Sequence, residues 1–169
     1  EEIKDKKGIA DSYVSIGIVY RTQGNYSKAL GNYFNALKAY EEIDDKQRIA
    51  MSYNNIGNLY YNQRNFKLAL ENHLAALKIR EQMIDKNDID QSHNNIALIY
   101  AQQGDYDKAL ESYLKALKIS EEKRNTILIA SIYNNIGIIY TMQGKYNNAL
   151  ESYVASLKIK EEIGDMNGI

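Results

Sequence analysis

The sequence is defined first by what it lacks: it contains no cysteine, no proline and no long apolar run. Without cysteine the chain has no disulfide, no thiol nucleophile and no cysteine-ligated metal, although a cysteine-free chain can occupy any compartment. Proline breaks or kinks a helix when it lies in the interior, and its absence removes this cause of interruption. A membrane-spanning helix needs about 18 or more consecutive apolar residues, and no stretch approaches that length.

The sequence also lacks an excess of positive or negative charge. It has 21 basic and 22 acidic side chains among 169 residues, which gives a formal net charge of −1. A basic excess would favour nucleic acid or an anionic membrane surface as partner, and this balance predicts neither. The length fits one ordinary domain or one short array of repeats. The sequence does not assign a compartment; the cytoplasm is favoured over the periplasm.

What the sequence does contain is a repeat with a period of 40 residues. The pair Asn-Asn starts at Asn54 and returns at Asn94 and Asn134, and columns of tyrosine, isoleucine, glycine and alanine follow the same spacing without gaps. Four complete units are expected, at residues 9–48, 49–88, 89–128 and 129–168. Residues 1–8 are then the tail of a preceding unit, because residues 1–3 match 41–43, and residue 169 opens a following one.

Each unit carries two helical patterns. In its first half, aromatic, aliphatic and small residues recur at i, i+3, i+4 and i+7, as in Tyr53, Ile56, Gly57 and Tyr60. A second stripe of the same kind follows around Ala69. The sequence therefore predicts two helices of about 16–18 residues per unit, joined by tight turns.

The residues between the stripes are typical of helix ends. Glycines that fit a left-handed helix terminus are Gly24, Gly104 and Gly144. Residues that fit the N-cap of the second helix are Asn25, Asn65 and Asp105. The longer linkers between units end in further capping types, at Asp45, Asp85, Asn125 and Asp165.

These columns resemble the tetratricopeptide repeat over essentially the whole chain. An aromatic-Ile-Gly-Tyr series in the first helix and an Ala-Tyr-Ala series in the second carry the resemblance. The period exceeds the usual value of about 34 residues, and glutamate replaces the usual proline after the second helix. The longer form is similar to repeats of spindle-orienting adaptors, kinesin light chains and bacterial sensor-kinase input domains. The resemblance implies an all-α fold, a single right-handed superhelical solenoid of about four helix-turn-helix repeats over residues 1–169.

The resemblance also implies a concave groove lined by the first helix of each repeat. On a helical wheel the asparagines fall on the arc opposite the packed stripe. The candidate groove residues are Asn54, Asn55, Asn58, Tyr61, Asn94, Asn95, Leu98, Gln102, Asn134, Asn135, Ile138 and Met142. An amide side chain both donates and accepts hydrogen bonds, so a ladder of amides can hold the backbone of an extended peptide. The structural alternative is that Asn55 and its equivalents bond to the adjacent repeat.

Residues for catalysis or metal binding are scarce. Both histidines, His73 and His93, occupy columns that are tyrosine in the other three repeats, so aromatic packing is their expected role. Neither a glycine-rich phosphate loop nor a nucleophile beside a base is present. The sequence predicts no catalytic residue, no metal site and no cofactor, and it indicates a protein that is not an enzyme.

The expected function is therefore recognition of a protein or peptide segment in the groove. Two alternatives stay open: a regulatory input domain of a larger signalling protein such as a sensor kinase, or a purely structural spacer. No contact with nucleic acid or membrane is expected. Weak end-to-end self-stacking is expected from apolar residues on the two terminal faces, among them Ile9 and Ile163.

Overall fold

The computed structural model of the chain describes residues 2–84 and 87–164, with side chains from residue 5 onward. In chain order the helices are α1 (Glu2–Thr22), α2 (Tyr26–Glu42), α3 (Lys46–Asn62), α4 (Phe66–Gln82), α5 (Ile89–Gln102), α6 (Tyr106–Glu122), α7 (Thr126–Met142) and α8 (Tyr146–Glu162). Across these described residues there is no strand. The helices form two compact units, α1–α4 and α5–α8, and each unit contains two helical hairpins. The all-α helical-repeat fold is thereby confirmed.

A tight turn joins the two helices of each hairpin, and all four turns share one backbone geometry. Each contains a residue with φ between 58° and 79°, namely Gly24, Arg64, Gly104 and Gly144. The next residue caps the second helix in three hairpins, because the side chains of Asn25, Asn65 and Asp105 each accept a bond from the backbone N–H three residues on. These caps satisfy one of the N–H groups that every helix start leaves without a partner. The glycine and cap predictions are confirmed at these positions.

The linkers between hairpins of one unit follow the same plan. Asp44 and Arg124 take the left-handed conformation, with φ of 52° and 56°. Asp45 and Asn125 then cap α3 and α7 by accepting backbone hydrogen bonds of 3.1 and 3.3 Å. These two caps are confirmed, whereas the other linker caps expected from the sequence, at positions 85 and 165, lie outside the described residues.

The start of α5 differs from the periodic prediction, which places it near residue 86. Helix α5 begins at Ile89 and has 14 residues, whereas α3 and α7 have 17. The position equivalent to Asp44 and Arg124 is Ile84, and a β-branched side chain strongly disfavours positive φ. The preceding residue, Met83, is extended at φ −81° and ψ 149°. The tight turn is therefore not formed, and the helix starts later.

The first helix is longer than its counterparts in the later hairpins. Residues 1–3 match residues 41–43, where α2 ends, yet α1 continues unbroken from Glu2 to Thr22. Lys4 occupies the place of the left-handed Asp44. Lysine is the better helix former, and aspartate tolerates the left-handed conformation more readily. Residues 2–8 therefore lie within α1 in this structure, and their assignment to a preceding repeat unit stays a prediction.

The two helices of a hairpin approach most closely where a small residue of the first helix faces an aromatic ring of the second. A Cβ atom built on the glycine would lie only 2.5–2.8 Å from the nearest ring atom in the pairs Gly17–Tyr33, Gly57–His73 and Gly137–Tyr153. Real side chains do not pack at such distances, so glycine is required by the backbone approach. The third hairpin has Ala97 at this position, buried in the same core as Tyr113.

Each unit has its own hydrophobic core. Its main buried side chains are Tyr33, Tyr40, Ile56 and Leu59 in the first unit and Tyr113, Ile132, Ile136 and Ile139 in the second. Helix α2 packs on α3, and α6 packs on α7, so the second helix of one hairpin covers the first helix of the next. Leu59 of α3 and Ile139 of α7 are buried in these contacts between neighbouring hairpins.

Polar bridges also link the helices. In the first unit, the Tyr40 hydroxyl donates to the Asp11 carboxylate, which also accepts a hydrogen bond from Arg48 of α3, each at 2.5 Å. Burial, together with the bond to Asp11, raises the pKa of Tyr40 to about 12. In the second unit, the buried carboxylate of Asp90 on α5 pairs with Lys123, just after α6, at 3.0 Å. Each carboxylate therefore connects its own helix to residues that lie far away in the sequence.

His73 takes the place of a tyrosine and is buried against Gly57. Its Nδ1 has no hydrogen-bond partner among the described residues. Burial, and secondarily the positive charge of Arg80, lowers the pKa of His73 from 6.5 to about 4. The aromatic packing role predicted for this residue is confirmed, and His93 is half-buried in α5, as are its equivalents Tyr53 and Tyr133.

Gly57→Leu should lower the free energy of unfolding by about 3 kcal/mol or more, because the new side chain must displace the buried His73 ring. Gly31→Leu is the matched control. Gly31 is an exposed interior position of α2, where an added Cβ would meet nothing within 4 Å, so leucine there should raise stability by roughly 0.5–1 kcal/mol. Urea denaturation measures both. An unchanged midpoint for Gly57→Leu would contradict this position for the helix contact.

His73→Tyr should flatten the dependence of stability on pH. Because the folded pKa of about 4 lies below the ordinary 6.5, the unfolded chain binds more protons between these values, and stability falls as pH drops through this window. At pH 7 the residue is neutral in both states, whereas at pH 5 its protonation should cost about 2 kcal/mol. The measurement compares unfolding free energies of wild type and variant at pH 7 and 5. Parallel pH profiles would contradict the burial of a neutral imidazole.

Candidate functional site

The predicted groove residues all lie on first helices of hairpins, on α3 in the first unit and on α5 and α7 in the second. These helices bury their isoleucine and glycine stripe against the second helices, which leaves the asparagine-bearing arc on the other side. In the second unit, α5 and α7 are neighbours. We call the amide and apolar side chains on this arc the asparagine face of each unit.

Most candidate residues are accessible on this face. Half-buried members are Asn54, Asn55, Asn58, Tyr61, Asn95, Leu98, Asn134 and Asn135, and exposed members are Gln102, Ile138 and Met142. Asn94 is the exception, since only 5% of its surface is exposed. Successive residues of a helix lie about 100° apart, so the first asparagine of a pair lies nearer the edge of the arc than the second.

The first asparagine of each pair lies at that edge. The equivalent position in α1 is the buried Val14. In the last hairpin, Asn134 lines a cavity of about 240 Å³ together with Tyr153 and Leu157 of α8. Asn94 is buried, and its side-chain oxygen has no hydrogen-bond partner among the described residues. Among the twelve candidate groove residues, Asn94 is thus the one whose side chain the structure buries.

The second asparagine of each pair is better placed for binding. Asn55, Asn95 and Asn135 are all half-buried. The side-chain oxygen of Asn95 accepts a hydrogen bond of 3.1 Å from Gln91, one turn earlier in α5. Within the described residues, the side chains of Asn55 and Asn135 form no hydrogen bond. Their donors and acceptors are therefore available to water or to a ligand, and the bond to an adjacent repeat considered above is not formed by these two.

Apolar side chains accompany the amides on both units. On α7, Ile138 and Met142 are exposed one helical turn apart, and Leu98 of α5 is half-buried. On α3, Tyr61 packs edge-to-face against Phe66, with ring centroids 5.8 Å apart. This contact fixes the tyrosine ring at the end of α3. Apolar contacts beside amide groups are the combination that peptide grooves use.

The asparagine face is neutral, although a quarter of all residues are charged. None of the twelve candidate residues carries a charge. The ionised groups of α5 are used elsewhere: burial by itself would raise the pKa of the Asp90 carboxyl, but the hydrogen bond and charge of Lys123 outweigh burial and lower it. A charged group placed on a neutral surface loses hydration without gaining a partner of opposite charge.

Metal-ligating side chains do not converge in the described part of the chain: no three of His, Asp or Glu are arranged to hold an ion. Across residues 2–84 and 87–164, no helix has the length and apolar character of a membrane span.

The first unit also contains a cleft of about 470 Å³ that corresponds to no motif of the sequence. Its lining comes from Glu41, Asp44, Lys46, Ile49, Tyr53, Ile79, Gln82 and Met83. These residues belong to the ends of α2 and α4, the start of α3 and the adjoining turns, which only tertiary packing brings together. At the rim, Lys46 pairs with Asp44 at 2.6 Å. Nothing in the 40-residue period marks this cleft.

Comparison with known proteins gives a family and a set of similar folds. The family model of the tetratricopeptide repeat matches residues 8–82 and 88–162. No curated protein sequence matches the chain.

Three solved structures illustrate the fold relationship. BtubC (BKLC) from P. vanneervenii has a TM-score of 0.82 at 21% identity, covering 92% of this chain and 64% of that one. Aspartyl phosphate phosphatase F from Bacillus subtilis has a TM-score of 0.88 at 17% identity, covering 98% and 43%. A Rap protein complexed with competence and sporulation factor has a TM-score of 0.82 at 21% identity, covering 98% and 45%. The chain thus spans 43–64% of these structures, and identities this low show a shared fold.

Asn94→Val should raise the free energy of unfolding by about 1 kcal/mol, because it removes a buried oxygen without a hydrogen-bond partner. Valine fills the equivalent buried position in α1, at Val14. Asn134→Val is the matched control: this asparagine is half-buried beside an open cavity, so its change should stay within about 0.5 kcal/mol. Thermal and urea unfolding measure both. Destabilisation by Asn94→Val would show that the amide is satisfied, for example by a buried water.

Proposed function

The chain belongs to the tetratricopeptide-repeat family, and from that premise we propose that it is a protein-interaction module that binds an extended peptide or protein segment on its asparagine face. The observation that carries the proposal is the neutral combination of accessible amides and apolar side chains on the first helices. Such a surface matches an uncharged, extended segment better than a folded, highly charged one.

The chemistry of the proposal begins with the peptide backbone. An extended segment exposes unpaired N–H and C=O groups, and each asparagine side chain offers one acceptor and two donors for them. Asn55 on α3 and Asn135 on α7 form no hydrogen bond within the described chain and therefore lose none on binding. Asn95 would exchange or share its bond from Gln91. The interaction resembles the pairing of a strand with a sheet edge, with amide side chains in place of backbone.

The apolar residues of the asparagine face supply selectivity. In the second unit, Ile138 and Met142 are exposed side by side on α7, and a flexible methionine adapts to several side-chain shapes. In the first unit, the Tyr61 ring is held by Phe66 and presents an aromatic surface with a hydroxyl. We expect the preferred segment to carry aliphatic or aromatic residues and few charges.

The fold relatives are compatible with this proposal. One of them is named as a Rap protein complexed with competence and sporulation factor. Another is named an aspartyl phosphate phosphatase. The proposal concerns recognition of a segment alone and assigns no catalytic residue, metal or cofactor. The neutral charge balance gives no reason to include nucleic acid or membrane as partner.

The triple variant Asn55→Ala, Asn95→Ala, Asn135→Ala tests the role of the amides. A library of unstructured peptides displayed on phage is selected on the wild-type chain, and the affinity of enriched peptides is measured by calorimetry. We expect the variant to bind at least about tenfold more weakly, since each lost backbone contact costs roughly 1 kcal/mol. Its stability should be unchanged or higher by up to about 0.5 kcal/mol per site, because alanine is the better helix former.

The control replaces three exposed amides on second helices, Asn35→Ala, Asn147→Ala and Asn148→Ala. It changes helix propensity by the same kind of substitution but leaves the asparagine face intact, so peptide affinity should not change. A triple variant on the asparagine face that is less stable yet binds normally would show that these amides are structural, and the proposal would be wrong. Enrichment of peptides rich in acidic or basic residues would equally contradict a neutral recognition surface.

A further inference from the structure

The cleft of about 470 Å³ in the first unit has two helical walls, and no residue that lines it belongs to the asparagine face. On α3, Ile49 and Tyr53 lie about one turn apart on a single stripe of the helix. On α4, Ile79 and Met83 form a second stripe with the same spacing. Ile49 is buried and the other three are half-buried, so the interior of the cleft is apolar and aromatic.

The cleft lies at the end of the hairpin that is away from its tight turn. The two helices are in close contact at Gly57, and Ile49 lies about 12 Å from that glycine along α3. At the other wall, Met83 leaves α4 in an extended conformation, with ψ of 149°. The equivalent residues after α2, α6 and α8 have ψ of 5°, −8° and 0°. The extended exit at this wall is therefore a feature that the other three hairpins do not share.

The charges at the rim favour a cation. Two carboxylates, Glu41 and Asp44, stand against one ammonium group, Lys46, so the lining has a net charge of −1. Lys46 pairs with Asp44 at 2.6 Å. The side chain of Glu41 forms no ion pair or hydrogen bond with any described residue. Among the charged lining residues, Glu41 is therefore the one available to a ligand.

The ring of Tyr53 offers a second contact for a cation. The chain uses this kind of contact in another hairpin, where the Nζ of Lys108 lies 5.5 Å from the ring centre of Tyr100. Tyr53 has no such partner among the described residues. A positive group is attracted to the electron-rich face of an aromatic ring, and a carboxylate nearby adds to the attraction.

We propose that this cleft binds a small organic cation, an ammonium or guanidinium group attached to an aliphatic or aromatic body. The charged group pairs with Glu41 and contacts the Tyr53 ring, while the body packs between Ile49, Ile79 and Met83. A concave space of this volume, with mainly apolar walls and a few polar groups at the rim, is the usual arrangement of a small-molecule site. The site is separate from the asparagine face and does not depend on peptide binding there.

Three probes of similar shape test the proposal on the 169-residue chain: phenethylammonium, neutral phenethyl alcohol and anionic hydrocinnamate. Each is titrated at neutral pH into the protein labelled with nitrogen-15, and backbone amide shifts are followed by NMR. We expect phenethylammonium to give saturable shifts at residues 41–53 and 79–83, with a Kd on the order of 1 mM or tighter. The alcohol should bind about three- to fivefold more weakly, because it lacks the charge, and hydrocinnamate should bind more weakly still.

Glu41→Gln should abolish the preference for phenethylammonium over phenethyl alcohol, and Tyr53→Leu should weaken binding of the cation by about threefold. Glu121→Gln is the matched control, because Glu121 is the exposed equivalent of Glu41 in the second unit; it should bind all three probes like wild type. Circular dichroism checks that each variant is folded. If Tyr53→Leu does not fold, Glu41→Gln decides the test, since Glu41 is exposed and makes no described side-chain contact with a polar partner.

Four results would overturn the proposal. These are the absence of saturable binding, equal affinity for the three probes, a Glu41→Gln variant that keeps the preference for the cation, and loss of that preference in Glu121→Gln. A further probe, N-acetyl-lysine methylamide, carries its ammonium group on a peptide backbone. We expect it to bind more weakly than phenethylammonium, and tighter binding would instead assign the cleft to a side chain of a protein partner.

Discussion

The fold depends on the close approach of two helix backbones within each hairpin. At Gly57 the approach leaves no room for a Cβ atom against the His73 ring, and the same holds for Gly17 with Tyr33. Small residues let the backbones meet, and the rings fill the space on either side, which gives dispersion contacts at interior density. The third hairpin achieves a related packing with Ala97. Once this contact is set, the stripe that carries it is buried, and the opposite arc of the first helix has to face outward.

The residues in the turns then determine where each helix starts. The left-handed residue and the capping residue after it form a pair that repeats through the described chain, as in Asp44 with Asp45. The pair fails at Ile84, because a β-branched side chain disfavors positive φ. The consequence is a helix α5 that starts at Ile89 and is one turn shorter at its beginning. One residue type at one backbone position therefore changed a boundary that periodicity had placed.

The asparagine pairs illustrate how neighbouring residues of one motif acquire different roles. Asparagine is a poor helix former, so two in succession impose a cost on the helix that some other interaction must offset. The second member, as at Asn135, stays accessible and forms no hydrogen bond within the described chain. The first member, Asn94, is buried with an unsatisfied oxygen. A peptide ligand would use the accessible member, whereas the buried member destabilises the core in which it lies.

The sequence by itself determined the period, the helix pairs, the tight turns and most caps, because these depend on local propensity and on spacing along one helix. It also determined which arc of each first helix could be exposed, since apolar residues at i, i+3, i+4 and i+7 must be buried together. Only the tertiary structure decided that Asn94 is buried while Asn95 is accessible, because burial depends on how other elements pack around each position. The same holds for the lowered pKa of His73, which results from burial against Gly57 and from Arg80 nearby. The cleft at the ends of α2 and α4 likewise could not be read from spacing, since its walls come from residues far apart in sequence.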